Sequence, residues 1–314
     1  MSALSKLQPI YHPIFAKNKL QVSVKRDDKI DNIISGNKWR KLKYNLRQVK
    51  SSNAKGVITF GGCFSNHIHA TAFACYQQKI PVVGIIRGEA SSQNNYTLAW
   101  AKYWGMQLIF VDRKTYRLRD DRDYLQQLQQ QYPDYTIVPE GGSNTLALTG
   151  VAEIIEELNQ QAEFDTIMTP VGSGGTLAGL ILGDQEQHKL LGVSVLKQQD
   201  YLEKQVKNLL PAKAKSYNNW AIFHQYHCGG YAKFSRQDAE KIREFNQISA
   251  VDFEPVYSGK MILALLDLIE SGYFPAKHHI VLLHTGGLQG LAGMYERGIL
   301  NADEWPSLPV PPVR

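Results

Sequence analysis

The sequence predicts an α/β protein with parallel-rich sheets covered by helices, arranged in two lobes. Three observations carry that prediction. Short β-branched runs alternate with longer amphipathic stretches along the chain, the pattern of strand–helix–strand units. The chain has 314 residues, more than one minimal core needs and enough for two lobes. Hydrophobic residues make up 43% and charged residues 20%, ordinary globular values that argue against global disorder.

Each element follows from local pattern. Asn37 to Lys50, "NKWRKLKYNLRQVK", reads as a helix, because Trp39, Leu42, Leu46 and Val49 recur at helical spacing and Ser35 or Asn37 can cap it. Apolar runs predict strands at Gly56–Phe60, Pro81–Ile86, Met106–Val111 and Tyr135–Val138, and again at Asp165–Val171, Leu190–Leu196, Ala221–Tyr226 and His279–His284. Amphipathic stretches predict helices at Tyr116–Gln131, Thr145–Gln161, Arg236–Ser249 and Lys260–Ser271. The tail "PSLPVPPVR" is too rich in proline for a helix and is expected to lie extended on the surface. There is no internal repeat and no coiled-coil heptad.

Composition narrows the function classes. The net charge is +6, and six Lys or Arg fall within Asn37–Lys50. Basic residues alone are weak evidence for nucleic acid, and a solvated helix face or attraction of small anions explains them more simply. No nucleic-acid partner is expected, and no run is long and apolar enough to span a bilayer. The segment Met1–Lys6 lacks the charged-then-apolar build of a secretory signal. Three cysteines, Cys63, Cys75 and Cys228, have no CxxC spacing, so a reducing cytoplasm is expected rather than a disulfide framework. Cys63, His67 and His69 do not make a metal site, since positions i and i+2 on a helix diverge and no second ligand cluster appears.

Ligands of open α/β sheets bind beyond the carboxyl ends of strands. Four predicted strand ends are rich in small or polar residues: Gly61–His67, Pro139–Asn144, Gly172–Thr176 and Thr285–Gly287. "PVGSGGTLAG", Pro170–Gly179, follows a strand and opens a helix, so backbone N–H groups and the hydroxyls of Ser173 and Thr176 can converge on a phosphate. It is neither a P-loop nor a dinucleotide fingerprint, since no Lys-Ser/Thr follows and Leu177 occupies the third glycine position. The alternative is a glycine turn that only permits close packing. In "SGNKWRKL", Lys38 stands at a helix start beside Arg40 and Lys41, surroundings that favour a free amine; the alternative is a plain surface charge. A phosphate cradle together with a suppressed lysine suggests pyridoxal 5'-phosphate, which offers a phosphate to the first and an aldehyde to the second.

The motifs "SGNKWRKLKYNL", "TFGGCFSNHIHATA", "PVGSGGTLAGL", "EPVYSGK" and "LLHTGGLQGL" occur in an order that resembles one family. It is the fold-type II pyridoxal-phosphate family that groups 1-aminocyclopropane-1-carboxylate (ACC) deaminase with D-cysteine desulfhydrase. The resemblance runs from about residue 25 to 295. It implies that Lys38 bonds the cofactor aldehyde and that Asn66 holds its 3'-oxygen. It gives the phosphate to Gly172, Ser173, Gly174, Gly175 and Thr176, and stacking on the ring to Tyr257. Ser65, Asn66 and His67 would receive a substrate carboxylate, and Tyr231, in "CGGYAKF", matches a further active-site tyrosine. It also implies a small amino-acid substrate and a homodimer. The large lobe is expected over residues 1–49 and 154–314 and the small lobe over 50–153, with the cofactor between them.

Departures within the family point to one branch. ACC deaminases resemble one another in having Glu after the tyrosine, Leu before the late Gly-Gly, and Gln at the third carboxylate position. This chain has Ser258, Thr285 and His67 there. Ser258 and Thr285 fit the D-cysteine desulfhydrase pattern, because thiolate leaves readily and a neutral partner to the pyridine nitrogen suffices. The expected reaction is β-elimination of D-cysteine to pyruvate, sulfide and ammonia. The alternatives are ACC deamination to 2-oxobutyrate, another lyase reaction on a β-substituted amino acid, and a non-catalytic anion or nucleic-acid binder.

Overall fold

The structure, a computed structural model, describes residues 5–197 and 201–311. Residues 1–4 of the expected signal-free start and residues 312–314 of the expected extended tail lie outside the described residues. Strands are β1 (Leu7–Pro9), β2 (Gln21–Lys25), β3 (Gly56–Gly62), β4 (Val82–Arg87), β5 (Gln107–Val111), β6 (Tyr135–Val138), β7 (Thr166–Val171), β8 (Lys189–Ser194), β9 (Trp220–Phe223) and β10 (His279–Leu283). Helices are α1 (Pro13–Lys17), α2 (Asn37–Ser51), α3 (Asn66–Gln77), α4 (Tyr96–Tyr103), α5 (Arg113–Tyr116) and α6 (Arg122–Gln131). They continue with α7 (Thr145–Asn159), α8 (Gly175–Asp184), α9 (Tyr201–Leu209), α10 (Arg236–Ser249), α11 (Ser258–Glu270) and α12 (Ala292–Tyr295).

The chain forms two compact units. The first holds the chain up to Asn37 together with Leu148–Leu288, and the second holds Lys38–Ala147 and the chain from Gln289 onward. The expected breaks at 49/50 and 153/154 differ from these. Helix α2 goes with the second unit from Lys38 onward, because Lys41 and Asn45 hydrogen-bond the segment Gly141–Asn144.

The first unit is built on a six-stranded sheet of order β1-β2-β10-β7-β8-β9. Every pairing in it is parallel except β1 with β2. The carboxyl ends of β2, β10, β7 and β8 therefore lie along one edge. Val24, Ile167, Leu191 and Leu282 are buried in its strands, each contributing about 1.5–3 kcal/mol by leaving water. The second unit has a wholly parallel four-stranded sheet of order β5-β4-β3-β6. Ile58, Phe60, Val83 and Ile85 form its core with Tyr116 and Leu128.

Several expected elements change at their ends. The expected helix Tyr116–Gln131 is broken: α5 ends at Tyr116, and Asp121 starts α6 anew by accepting the N–H groups of Asp123 and Tyr124. The expected strand Ala221–Tyr226 stops at Phe223, where a turn begins. Strands β1 and β2 and helices such as α4 and α9 add to the expected set, while α8 opens within the Pro170–Gly179 segment as expected. The expectation of a solvated basic face on α2 is corrected, because Arg40 and Lys41 are both buried. Lys41 Nζ donates to Gly141 O at 3.4 Å and Ser143 Oγ at 3.0 Å, partners that a buried amine requires.

Candidate active site

The carboxyl edge of the first unit's sheet gathers three of the predicted loops. Beyond β2, Arg26 pairs with Asp28 through two hydrogen bonds, of 2.9 and 2.7 Å. Asp27 O accepts from Gly36 N at 3.0 Å, and Asp28 O accepts from Ser35 Oγ at 3.1 Å. These bonds hold the turn that precedes α2. Gly36 has φ +73°, and a Cβ there would collide with the Thr285 carbonyl. The turn and the Thr285–Gly286 backbone thus lie main chain against main chain. Asn37 N donates to Thr285 O at 3.3 Å, and Asn37 Nδ2 donates to Thr176 Oγ1 at 2.8 Å. Asn37 is therefore fixed at the start of α8, and Lys38 is the next residue of the chain.

Helix α8 begins directly after the glycine loop. Its N-cap is Gly174, with φ +78° and no side-chain cap. The first N–H groups of a helix have no helical acceptor, so this start offers unsatisfied donors with a positive potential. Gly172 supports the ring of Tyr257: a Cβ on Gly172 would stand 3.1 Å from Tyr257 Cε1. Tyr231 meets Tyr257 edge to face, with ring centroids 5.7 Å apart at 74°.

Ser258, the first residue of α11, is fully buried. Its Oγ accepts the N–H of Glu254 at 3.0 Å and lies 3.2 Å from Glu254 Oε1. The Glu254 carboxyl also accepts the N–H groups of Val256 at 2.7 Å, Tyr257 at 2.9 Å and Ser258 at 2.8 Å. Burial pushes the Glu254 carboxyl up to about 7, against the lowering effect of those hydrogen bonds.

In the second unit, Ser65 caps α3 by accepting the N–H of Ile68 at 3.3 Å, which leaves its own O–H to donate. Asn66 and His67 follow as the first two residues of the helix, and their N–H groups have no helical acceptor. The ring of His67 turns inward and is 2% exposed. Thr59 Oγ1 donates to Val138 O at 2.8 Å, so His67 Nε2, 2.7 Å from that hydroxyl, is the donor between them. Burial holds the imidazole well below its usual range, and the nearby Lys38 and Lys41 charges push the same way. His67 is neutral and can offer a ligand its main-chain N–H, not its ring. Burial also pushes the Lys38 amine down to about 8. The direction matches the sequence expectation; the cause is burial rather than the helix start and basic neighbours.

The structure thus brings Gly172–Thr176, Tyr231, Tyr257, Ser258 and Thr285 together within the first unit, and Lys38, Ser65, Asn66 and His67 fall in the second. Sequence reasoning missed Glu254, Lys260 and Thr59. The first two stand inside the quoted "EPVYSGK", where a charged residue at each end of a short apolar segment was the available signal. Glu140 is engaged elsewhere, with Tyr116 Oη at 2.7 Å and Arg119 Nε at 2.5 Å. His284, one residue past β10, is a buried staple to Asp252 O at 2.6 Å. Among the described residues, no group of three or more His, Cys, Asp or Glu could hold a metal ion, and no helix is long and apolar enough to cross a membrane.

Comparison with known proteins gives a consistent result. The family model described as "Pyridoxal-phosphate dependent enzyme" matches residues 8–286. A Pyrococcus horikoshii protein provisionally named as a 1-aminocyclopropane-1-carboxylate deaminase is 31% identical over 86% of this chain and 85% of its own length. A D-cysteine desulfhydrase of Klebsiella pneumoniae is 27% identical over 86% of this chain and 88% of its own. A solved structure described as an ACC deaminase homologue superposes with a TM-score of 0.82 at 27% identity, covering 95% of this chain and 94% of that one.

Proposed function

Because this chain belongs to the pyridoxal-phosphate dependent enzymes, in the group that joins ACC deaminase with D-cysteine desulfhydrase, we propose that it is a lyase catalysing β-elimination of D-cysteine. The observation that carries the site reading is Asn37: the residue before Lys38 is bonded to both Thr176 and the Thr285 backbone, beside a helix start rich in unsatisfied N–H donors.

The residues fit the cofactor. The α8 start and the Gly172–Thr176 loop supply the donor set a phosphate needs. The tyrosine ring on Gly172 offers a flat surface for a pyridine ring. Lys38, with its amine pushed down to about 8, suits bonding to an aldehyde. Bound pyridoxal phosphate supplies that aldehyde and a conjugated ring that takes up electron density from the substrate Cα.

This chain's own residues would do the rest. The N–H groups of Asn66 and His67 and the Ser65 hydroxyl would hold the substrate carboxylate, fixing which bond at Cα stands perpendicular to the ring. The Asn66 side chain, which has no hydrogen-bond partner within the protein among the described residues, would hold the cofactor 3'-oxygen. Lys38 Nζ would take the α-proton, an amine near neutral pKa being suited to both states. Loss of HS⁻ from the β-carbon, then addition of water and loss of ammonia, gives pyruvate and balances the reaction. Ser258 would face the pyridine nitrogen as a neutral group, and Tyr257 and Tyr231 would line the ring. Ser258 and Thr285 favour D-cysteine over ACC. The same reading carries a homodimer and a cytoplasmic setting; the latter is supported by three free cysteines.

The test is product formation by purified, cofactor-supplied protein from D-cysteine, L-cysteine and ACC in parallel. Pyruvate from D-cysteine alone is expected. 2-Oxobutyrate from ACC would keep the family and overturn the choice of substrate. Lys38→Ala is expected to lower turnover at least 1,000-fold, on the order of the loss of a general base or nucleophile, and to abolish borohydride fixation of the cofactor.

A further inference from the structure

Lys260 is fully buried on α11, three residues after Tyr257. Its ammonium donates to three carbonyls from separate places: Gly230 O at 2.7 Å, His227 O at 2.8 Å and Val195 O at 3.3 Å. An ammonium has three protons, so its donors are fully used. Val195 lies just beyond β8 and contacts the Gly172 region, with Cγ2 3.7 Å from where a Cβ on Gly172 would stand. His227 and Gly230 bracket the loop that delivers Tyr231.

That loop needs a tie. Cys228, Gly229 and Gly230 have φ of 53°, 92° and 120°, and Ala232 has 54°. Glycine adopts this region freely, but Cys228 and Ala232 hold it only where their surroundings impose it. The loop carbonyls turn inward onto one cation, much as carbonyls turn onto a bound metal ion. Burial pushes the Lys260 amine down to about 8, against the raising effect of Cys228, Glu254 and Asp238.

We propose that Lys260 is a positioning residue: its ammonium fixes the 227–231 loop to the β8 exit and so sets Tyr231 edge-on against Tyr257. The inference rests on the reading of these tyrosines as active-site residues.

The test compares wild type with Lys260→Met and Lys260→Gln, all loaded with pyridoxal phosphate. Hydrogen exchange by mass spectrometry of the peptide covering 227–232 is expected to quicken at least tenfold in Lys260→Met, with a peptide from α3 unchanged. With the substrate found active, kcat is expected to fall tenfold or more while KM stays within threefold and the cofactor absorption band is retained. The glutamine variant carries the test if the methionine variant does not fold. Loop exchange within twofold of wild type, a rise in KM alone, or global unfolding of both variants overturns the proposal. Failure of the cofactor reading is separate: it shows in wild type as no borohydride-fixed adduct, whatever the loop exchange.

Discussion

Gly36→Ala tests whether main-chain contact at the α2 start is what places Lys38. The residue has φ +73°, and a left-handed conformation costs a residue with a Cβ roughly 1–2 kcal/mol. The new Cβ also runs into the Thr285 carbonyl, so the two backbones must part. Parting them breaks the Asn37 N–Thr285 O bond of 3.3 Å and strains the Gly36 N–Asp27 O bond of 3.0 Å. At about 1 kcal/mol for each bond, the total loss is roughly 3–4 kcal/mol. The assay has two arms. Urea unfolding measures the loss of stability, and borohydride fixation of pyridoxal phosphate measures whether the proposed bond between Lys38 and the aldehyde still forms. Both are expected to fall, fixation at least tenfold at subsaturating cofactor. A stability loss under about 1 kcal/mol would mean the backbones are free to part at little cost, which refutes the argument.

Three further outcomes follow from the same geometry. Glu254 has a carboxyl raised from an ordinary 4.5 to about 7, so the stability its protonated form contributes is complete below pH 4.5 and lost as pH rises through 7. Roughly 3 kcal/mol is at stake, and Glu254→Gln, which cannot ionise, should flatten that decline in urea midpoints measured from pH 4.5 to 7.5. Ser258→Glu with Thr285→Leu should raise the ratio of ACC to D-cysteine turnover at least tenfold. Its new carboxylate would sit against Glu254, so adding Glu254→Gln should restore part of the lost melting temperature; an unchanged substrate ratio counts against Ser258 and Thr285 as selectors. Thr59→Val leaves the Nε2–H of His67 without its acceptor and should cost roughly 1–3 kcal/mol in thermal unfolding, with KM for the substrate within threefold, because the ring is buried and engaged with Thr59.

What the sequence revealed was what backbone geometry forces on it. Gly36, Gly172 and Gly174 stand where a Cβ would meet main chain, a stacked ring or a left-handed φ, so their places could be read without a structure. Parallel strands with loops at their carboxyl ends were legible for the same reason: β3, β4, β6, β7 and β10 are short, β-branched and flanked by small residues. Side-chain direction was not legible. Lys41 reads as a solvated charge on α2 until the Gly141–Ser143 segment supplies acceptors about a hundred residues later. Strand β2 hides because Lys25 ends it, and that lysine is buried by donating to Ser5 O at 2.6 Å and by pairing with Glu157 at 2.5 Å on a distant helix. His67 reads as a polar side chain aimed at a ligand, yet its ring serves Thr59.

The start of α3 bears on how such a protein can change over generations. The groups left without helical partners there are N–H groups of the main chain, which every amino acid except proline possesses. As a proposed binding surface, this main chain tolerates drift at position 67, where a replacement must fill the interior and satisfy Thr59. Selection would act on that position through packing and on proline through exclusion. Gly61 has no such latitude: a Cβ there would collide with Ile68 and Ser65, so the loop's shape at that position is inherited more strictly than the side chain at 67.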